Sequence, residues 1–101
     1  MMIYVTHEYR GFPSNYARAK GIVSRLQLND LQNTYICPLM VFSHSGYADL
    51  SHEEEMALRL DLLSVCDAMI VASPKDRVLR EEVAFAELIG MEVKKLEDRC
   101  L

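Results

Sequence analysis

No apolar run in this chain approaches the length of a membrane span, and Met2-Ile3-Tyr4-Val5 near its start is too short for a signal-peptide core. Neither a membrane anchor nor a secretory route is expected, and the expected location is the cytoplasm. Basic residues form no block, and 15 Asp and Glu outnumber 11 Lys and Arg for a formal charge of -4. That balance gives no electrostatic reason to approach DNA, RNA or an anionic membrane, so neither nucleic acid nor membrane is an expected partner. Cysteine is scarce. Cys37, Cys66 and Cys100 are an odd count without CxxC spacing, which reads as reduced thiols rather than a disulfide framework. The sequence also has no P-loop, no GxGxxG and no Ser-His-Asp order. His44 and His52, with Cys37, lack the short paired spacing of a zinc site, so no metal and no cofactor is expected.

What is present is an alternation of short apolar runs and longer amphipathic stretches. With 101 residues, half of them hydrophobic, the chain fits one domain spanning its whole length. A domain this small buries roughly two-thirds or less of its unfolded surface, which favours association into a homo-oligomer, a dimer or larger. Met2 to Thr6 reads as a buried strand running into the loop His7 to Pro13. Ser14 is the expected cap of a first helix, with Tyr16, Ala19, Val23 and Leu26 on one face. Thr34 to Cys37 reads as a second strand, which Pro38 closes into a loop reaching Leu50.

Ser51-His52-Glu53-Glu54 is a capping box that starts a second helix, with Met56, Leu60 and Leu63 facing inward. Ala68 to Ala72 is the most continuous apolar run and hence the expected central strand. Asp76 caps a third helix bearing Leu79, Val83, Ala86 and Ile89 on one face, and Gly90 falls where a left-handed C-cap is usual. Met91 to Leu96 is the last strand. Strands alternating with helices require right-handed crossovers. The expected fold class is therefore α/β, a three-layer α/β/α Rossmann- or flavodoxin-like domain with four or five parallel strands in the order 2-1-3-4.

Ligands of open parallel sheets bind outside the carboxyl ends of the strands where the order reverses, here between the first and third strands. The loops expected to meet there run from His7 to Pro13, from Pro38 to Leu50 and from Ser73 to Asp76. Tyr9-Arg10-Gly11 offers a guanidinium and turn amides suited to a phosphate, or a solvated turn. His7 ends the first strand, where it would face the crevice, as a hydrogen-bonded loop histidine in the plainer reading or as a proton shuttle in the other. Glu82 lies in the second turn of the third helix, where the lean of helical side chains toward the N-terminus carries its carboxylate back toward the crevice. The plainer alternative is that Glu81 and Glu82 both coat a solvated helix.

Taken together, Ile3-Tyr4-Val5 followed by Tyr9-Arg10-Gly11, Asn15 with Ala19, Leu62-Leu63 with Cys66-Asp67, and Glu82 to Ala86 with Gly90 and Val93 resemble the nucleoside 2-deoxyribosyltransferase-like superfamily. More narrowly they resemble its small DUF4406-type branch of bacteria and their phages, over nearly the whole chain. The resemblance implies an N-glycosidic-bond hydrolase or deoxyribosyltransferase acting on nucleosides or nucleoside 5′-monophosphates. It implies Glu82 as the nucleophile toward the anomeric carbon and Asp76, by its spacing from Glu82, as the group facing the departing base. It also implies Arg10 and Gly11 at the 5′-phosphate and Tyr9 at the sugar or base, with Asn15 and Ser73 in the surrounding site. Relatives assemble into dimers and larger oligomers in which a neighbour completes the pocket, a role the tail Asp98 to Leu101 would share. One departure stands out: relatives carry a small Ser-x-Gly or Gly-Met stretch before the glutamate, and this chain has Arg77-Val78-Leu79-Arg80. Three consequences stay open: a reshaped site, a cationic phosphate contact through Arg77 or Arg80, or a pocket that binds a nucleotide-derived ligand without chemistry.

Overall fold

The computed structural model describes residues 1–9, 12–42 and 50–96. Eight elements follow in order: β1 (Met2–Thr6), α1 (Pro13–Asn29), β2 (Thr34–Ile36), α2 (Pro38–Val41), α3 (His52–Ser64), β3 (Ala68–Val71), α4 (Arg77–Leu88) and β4 (Glu92–Lys95). The four strands form one all-parallel sheet in the order β2-β1-β3-β4, as the alternation of elements predicts. Register places Tyr4 beside Ile36 and Met69, and Met69 beside Val93, so one row of side chains crosses the sheet on a single face.

That face carries the main core. Tyr4, Met69 and Val71 pack with Leu63 of α3 and with Leu79, Val83 and Ala86 of α4. A smaller cluster joins Ala19 of α1 to Cys37 and Leu39, and Tyr9, Tyr16, Val23 and Met40 pack against it. Helices therefore flank the sheet in a three-layer, Rossmann-like arrangement, and no helix among the described residues is long and apolar enough to cross a membrane. Met56 and Met69 are buried, and Met91 packs against the main core, as core-filling methionines do.

Three local expectations need correction. Ser14 does not cap α1, because the helix begins at Pro13 with Phe12 at the N-cap and no side-chain bond there. Proline's fixed φ and missing N–H suit the first helical position, so it sets the start one residue ahead of the serine. Pro38 does end β2, but Pro38–Val41 coil into the single turn α2 rather than an open loop. Ile89 belongs to no buried face: it is the C-cap of α4 and is half exposed, because Gly90 at φ 78° turns the chain out of the helix.

Candidate active site

The site grows from alternation along β1. Tyr4 and Thr6 are two residues apart and so share a face of the sheet, the face beneath α3 and α4. Asp76 starts α4 by accepting from the Leu79 N–H at 3.0 Å, which puts Glu82 in the second turn with its side chain leaning back toward the strand ends. The capping box of α3 is complete, Ser51 Oγ accepting from the Glu54 N–H and Glu54 Oε1 from the Ser51 N–H. It sets the phase in which Met56, Arg59 and Leu63 are the buried residues of that helix.

These placements bring four polar side chains together in the interior. Glu82 is wholly buried, and its two oxygens accept four hydrogen bonds. Oε1 accepts from Thr6 Oγ1 at 2.6 Å and from an Arg59 terminal nitrogen at 3.1 Å. Oε2 accepts from Arg59 Nε at 3.1 Å and from the Tyr4 hydroxyl. A carboxylate offers about four lone-pair directions, so all of them are occupied. The same Arg59 nitrogen also donates to Thr6 Oγ1 at 3.3 Å, and the third guanidinium nitrogen lies 3.6 Å from Glu55 on the rim. Burial, and then the neighbouring Glu82 charge, push the Tyr4 phenol well above its ordinary range, so it stays a donor. The carboxylate faces a fixed cation through a paired fork of N–H groups, the geometry that makes arginine the usual partner for a buried acid.

At the switch point between β1 and β3, two of the expected loops are joined. The Glu8 N–H donates to Ser73 Oγ at 2.9 Å, and the Ala72 N–H to the Thr6 carbonyl at 2.8 Å. Asn15 Nδ2 donates to the Tyr9 carbonyl at 2.9 Å, bracing the turn into α1, while the Tyr9 ring packs on the Ala19–Cys37–Leu39 cluster. His7 is buried to 1% exposure. Its Nδ1 lies 2.7 Å from the Glu8 carbonyl, which can only accept, so in the neutral ring Nδ1 carries the proton and Nε2 bears the lone pair. That Nε2 has no hydrogen-bond partner among the described residues. A buried acceptor left unmet costs about 1–3 kcal/mol.

Other residues singled out from the sequence fall elsewhere. Arg77 is three-quarters exposed and lies along α4 toward Glu81, at 3.6 Å. Glu81 in turn pairs with His52 at 2.8 Å, so of the two adjacent acids only Glu81 coats the helix surface. Arg10, Gly11, His44 and residues 98–101 lie outside the described residues. Cys37 is buried, and that burial pushes its thiol up to about 11, which makes it a packing group rather than a nucleophile. Among the described residues no three His, Cys, Asp or Glu side chains gather into a metal site. Two cavities open at the carboxyl ends of β3 and β4, about 460 Å³ on the α4 side and about 290 Å³ on the α1 side, and Ser73 borders both. Glu82 lines neither.

No protein-family model, curated protein or solved structure matches the chain. The site is therefore read from its own chemistry. Arg59, Thr6 and the Tyr4 hydroxyl were not among the residues that sequence reasoning chose. One signal was present: Arg59 sits three residues after Met56 and four before Leu63, in the apolar stripe of α3. A guanidinium in that stripe calls for a buried acid, and Glu82 holds the corresponding inward position of α4.

Proposed function

We propose that the chain is a member of the nucleoside 2-deoxyribosyltransferase-like superfamily that breaks the N-glycosidic bond of nucleosides or nucleoside 5′-monophosphates, with Glu82 as nucleophile. The observation that carries this reading is the oriented Glu82 carboxylate, clamped by Arg59 beside Thr6, the last residue of β1, at the carboxyl edge of the sheet. In the reaction a Glu82 oxygen bonds to C1′ as the C1′–N bond breaks and its electron pair leaves with the base. Asp76 supplies the proton the base needs. Water, or the N–H of a second base, then attacks C1′, its proton passing to the Asp76 carboxylate as the C1′–O bond to Glu82 breaks and the free carboxylate returns, hydrolysis or transfer respectively. Of the four bonds to Glu82, those from the Tyr4 and Thr6 hydroxyls yield most easily, since a hydroxyl proton rotates about its C–O bond and a guanidinium held by a fork does not. A lone pair is thus released without breaking the ion pair.

The complete burial of Glu82 favours a second reading, in which the Glu82–Arg59 pair is a structural keystone and the crevice holds a nucleotide-derived ligand without reaction. The engagement of Asp76 as the cap of α4 points the same way. One experiment separates the two. Wild-type protein and Glu82→Gln, the latter checked for folding by circular dichroism, are incubated with a panel of nucleosides and monophosphates, and free base is sought by chromatography. Base released by wild type and not by folded Glu82→Gln supports the nucleophile. Saturable binding with ligand recovered unchanged supports the keystone, and a panel neither bound nor turned over overturns both.

A further inference from the structure

We propose that His7 Nε2 is the acceptor for a hydroxyl of the ligand's sugar, which deepens the reading above and rests on its nucleoside ligand. The tautomer is set within the chain: the Glu8 carbonyl takes the Nδ1 proton, leaving Nε2 of the neutral ring with a lone pair, nearly full burial and no donor among the described residues. Among the described residues this Nε2 is the only buried side-chain nitrogen or oxygen without a hydrogen-bond partner. Thr6 Oγ1 serves Glu82, the Glu8 N–H serves Ser73 and the Tyr9 carbonyl takes Asn15 and Phe12. A buried acceptor without a donor is met by water or by a ligand that donates, and a ligand hydroxyl can take the place of the water. A phosphate at neutral pH is chiefly an acceptor, and no cluster of metal-binding side chains surrounds the ring among the described residues. Sugar hydroxyls and base N–H groups are the donors a nucleoside carries, and the place of His7 in the chain favours the sugar. His7 directly follows Thr6, whose hydroxyl lies on the carboxylate addressed to C1′, and the groups borne by the same ring are its hydroxyls.

Substitutions can separate this role from a structural one because the two ring nitrogens do different work. His7→Asn retains an N–H able to reach the Glu8 carbonyl and removes the Nε2 acceptor, while His7→Gln places an amide oxygen near the Nε2 position. Affinities of wild type and both variants are measured by calorimetry, or as KM where turnover occurs, for adenosine, 2′-deoxyadenosine, 3′-deoxyadenosine and 2′,3′-dideoxyadenosine. Wild type is expected to lose about ten-fold in affinity when the contacted hydroxyl is removed, His7→Asn to lose the same factor for adenosine and to ignore that hydroxyl, and His7→Gln to recover part of the preference. If His7→Asn keeps the wild-type ranking, or weakens all four ligands equally, the sugar contact is overturned while the nucleoside reading stands. If wild type binds none of them and no member of the wider panel of nucleosides and monophosphates, that reading fails and this proposal with it. A third measurement does not depend on ligand or variant: ¹⁵N spectra of the free protein place the His7 proton on Nδ1, and a proton on Nε2 overturns the proposal directly.

Discussion

At the scale of single residues the decisive object is the Arg59–Glu82 pair. Removing one charge of a buried pair leaves the other without compensation, so Arg59→Met is expected to lose about 3–5 kcal/mol in denaturant unfolding, a large part of what a domain this size holds. Glu82→Leu is expected to fall in the same range. The double variant Arg59→Met/Glu82→Leu is expected to be closer to wild type than either single change, because two apolar groups replace two matched charges. Additive losses across that cycle would mean the two side chains are not coupled, and the site as described would be wrong. Cys37 gives a second test at this scale. With its thiol buried and pushed up to about 11, it is expected to resist alkylation at pH 8 in the folded protein and to react fully in denaturant. Rapid native labelling of Cys37, read by peptide mass, would show that the α1–α2 cluster opens far more readily than its packing implies.

At the scale of elements, the start of α3 depends on one serine. Ser51→Ala removes the acceptor of the Glu54 N–H and is expected to cost about 1 kcal/mol, read as a lower denaturation midpoint. The reciprocal bond, from the Ser51 N–H to Glu54, holds the Glu54 carboxyl below its ordinary range, and the Asn33 and Tyr35 side chains do the same for Asp30 at the turn before β2. Both folded-state values are lowered, so their stabilisation is complete above the unfolded carboxyl range near pH 4 and fades as pH falls through the folded values. Glu54→Gln is expected to flatten the acid limb of the stability curve; an unchanged limb would remove the capping box from that role. Elements of this kind were legible because capping and periodicity are local: the Ser51 to Glu54 box, the Asp76 cap and the left-handed Gly90 each follow from a few neighbouring residues. The candidate site was legible only in part. Glu82 was found through its place in α4, but its burial depends on Tyr4, Thr6 and Arg59, brought from two other elements by packing that no local window contains. Helix α2 was missed for a different reason: a single turn carries too few residues to show a period.

At the scale of the whole molecule, the most exposed of the large apolar side chains gather at one edge, while the less exposed Phe12, Val41 and Leu58 lie elsewhere. Leu28 and Leu31, exposed to 76% and 82%, sit at and beyond the end of α1. Val65 (65%) is the C-cap of α3, and Leu88 (83%) is the last residue of α4. In a parallel α/β sheet the helix ends and strand starts share one edge, and here the Met1 amino group bonds to Asn33 while the Met2 N–H bonds to Asp67, which ties that edge together. This is the edge opposite the carboxyl ends of the strands, where Glu82 and His7 lie. A small domain with this much apolar surface on one side gains by covering it, and a second copy of itself is the expected cover. The expected result is a dimer or larger species in sedimentation equilibrium and a Tm that rises with protein concentration. Leu28→Lys combined with Leu88→Lys is expected to shift the distribution toward monomer while leaving the Arg59–Glu82 coupling intact. A chain that stays monomeric at high concentration, with a Tm independent of dilution, would show that the exposed leucines are tolerated singly and that the fold stands on its own core.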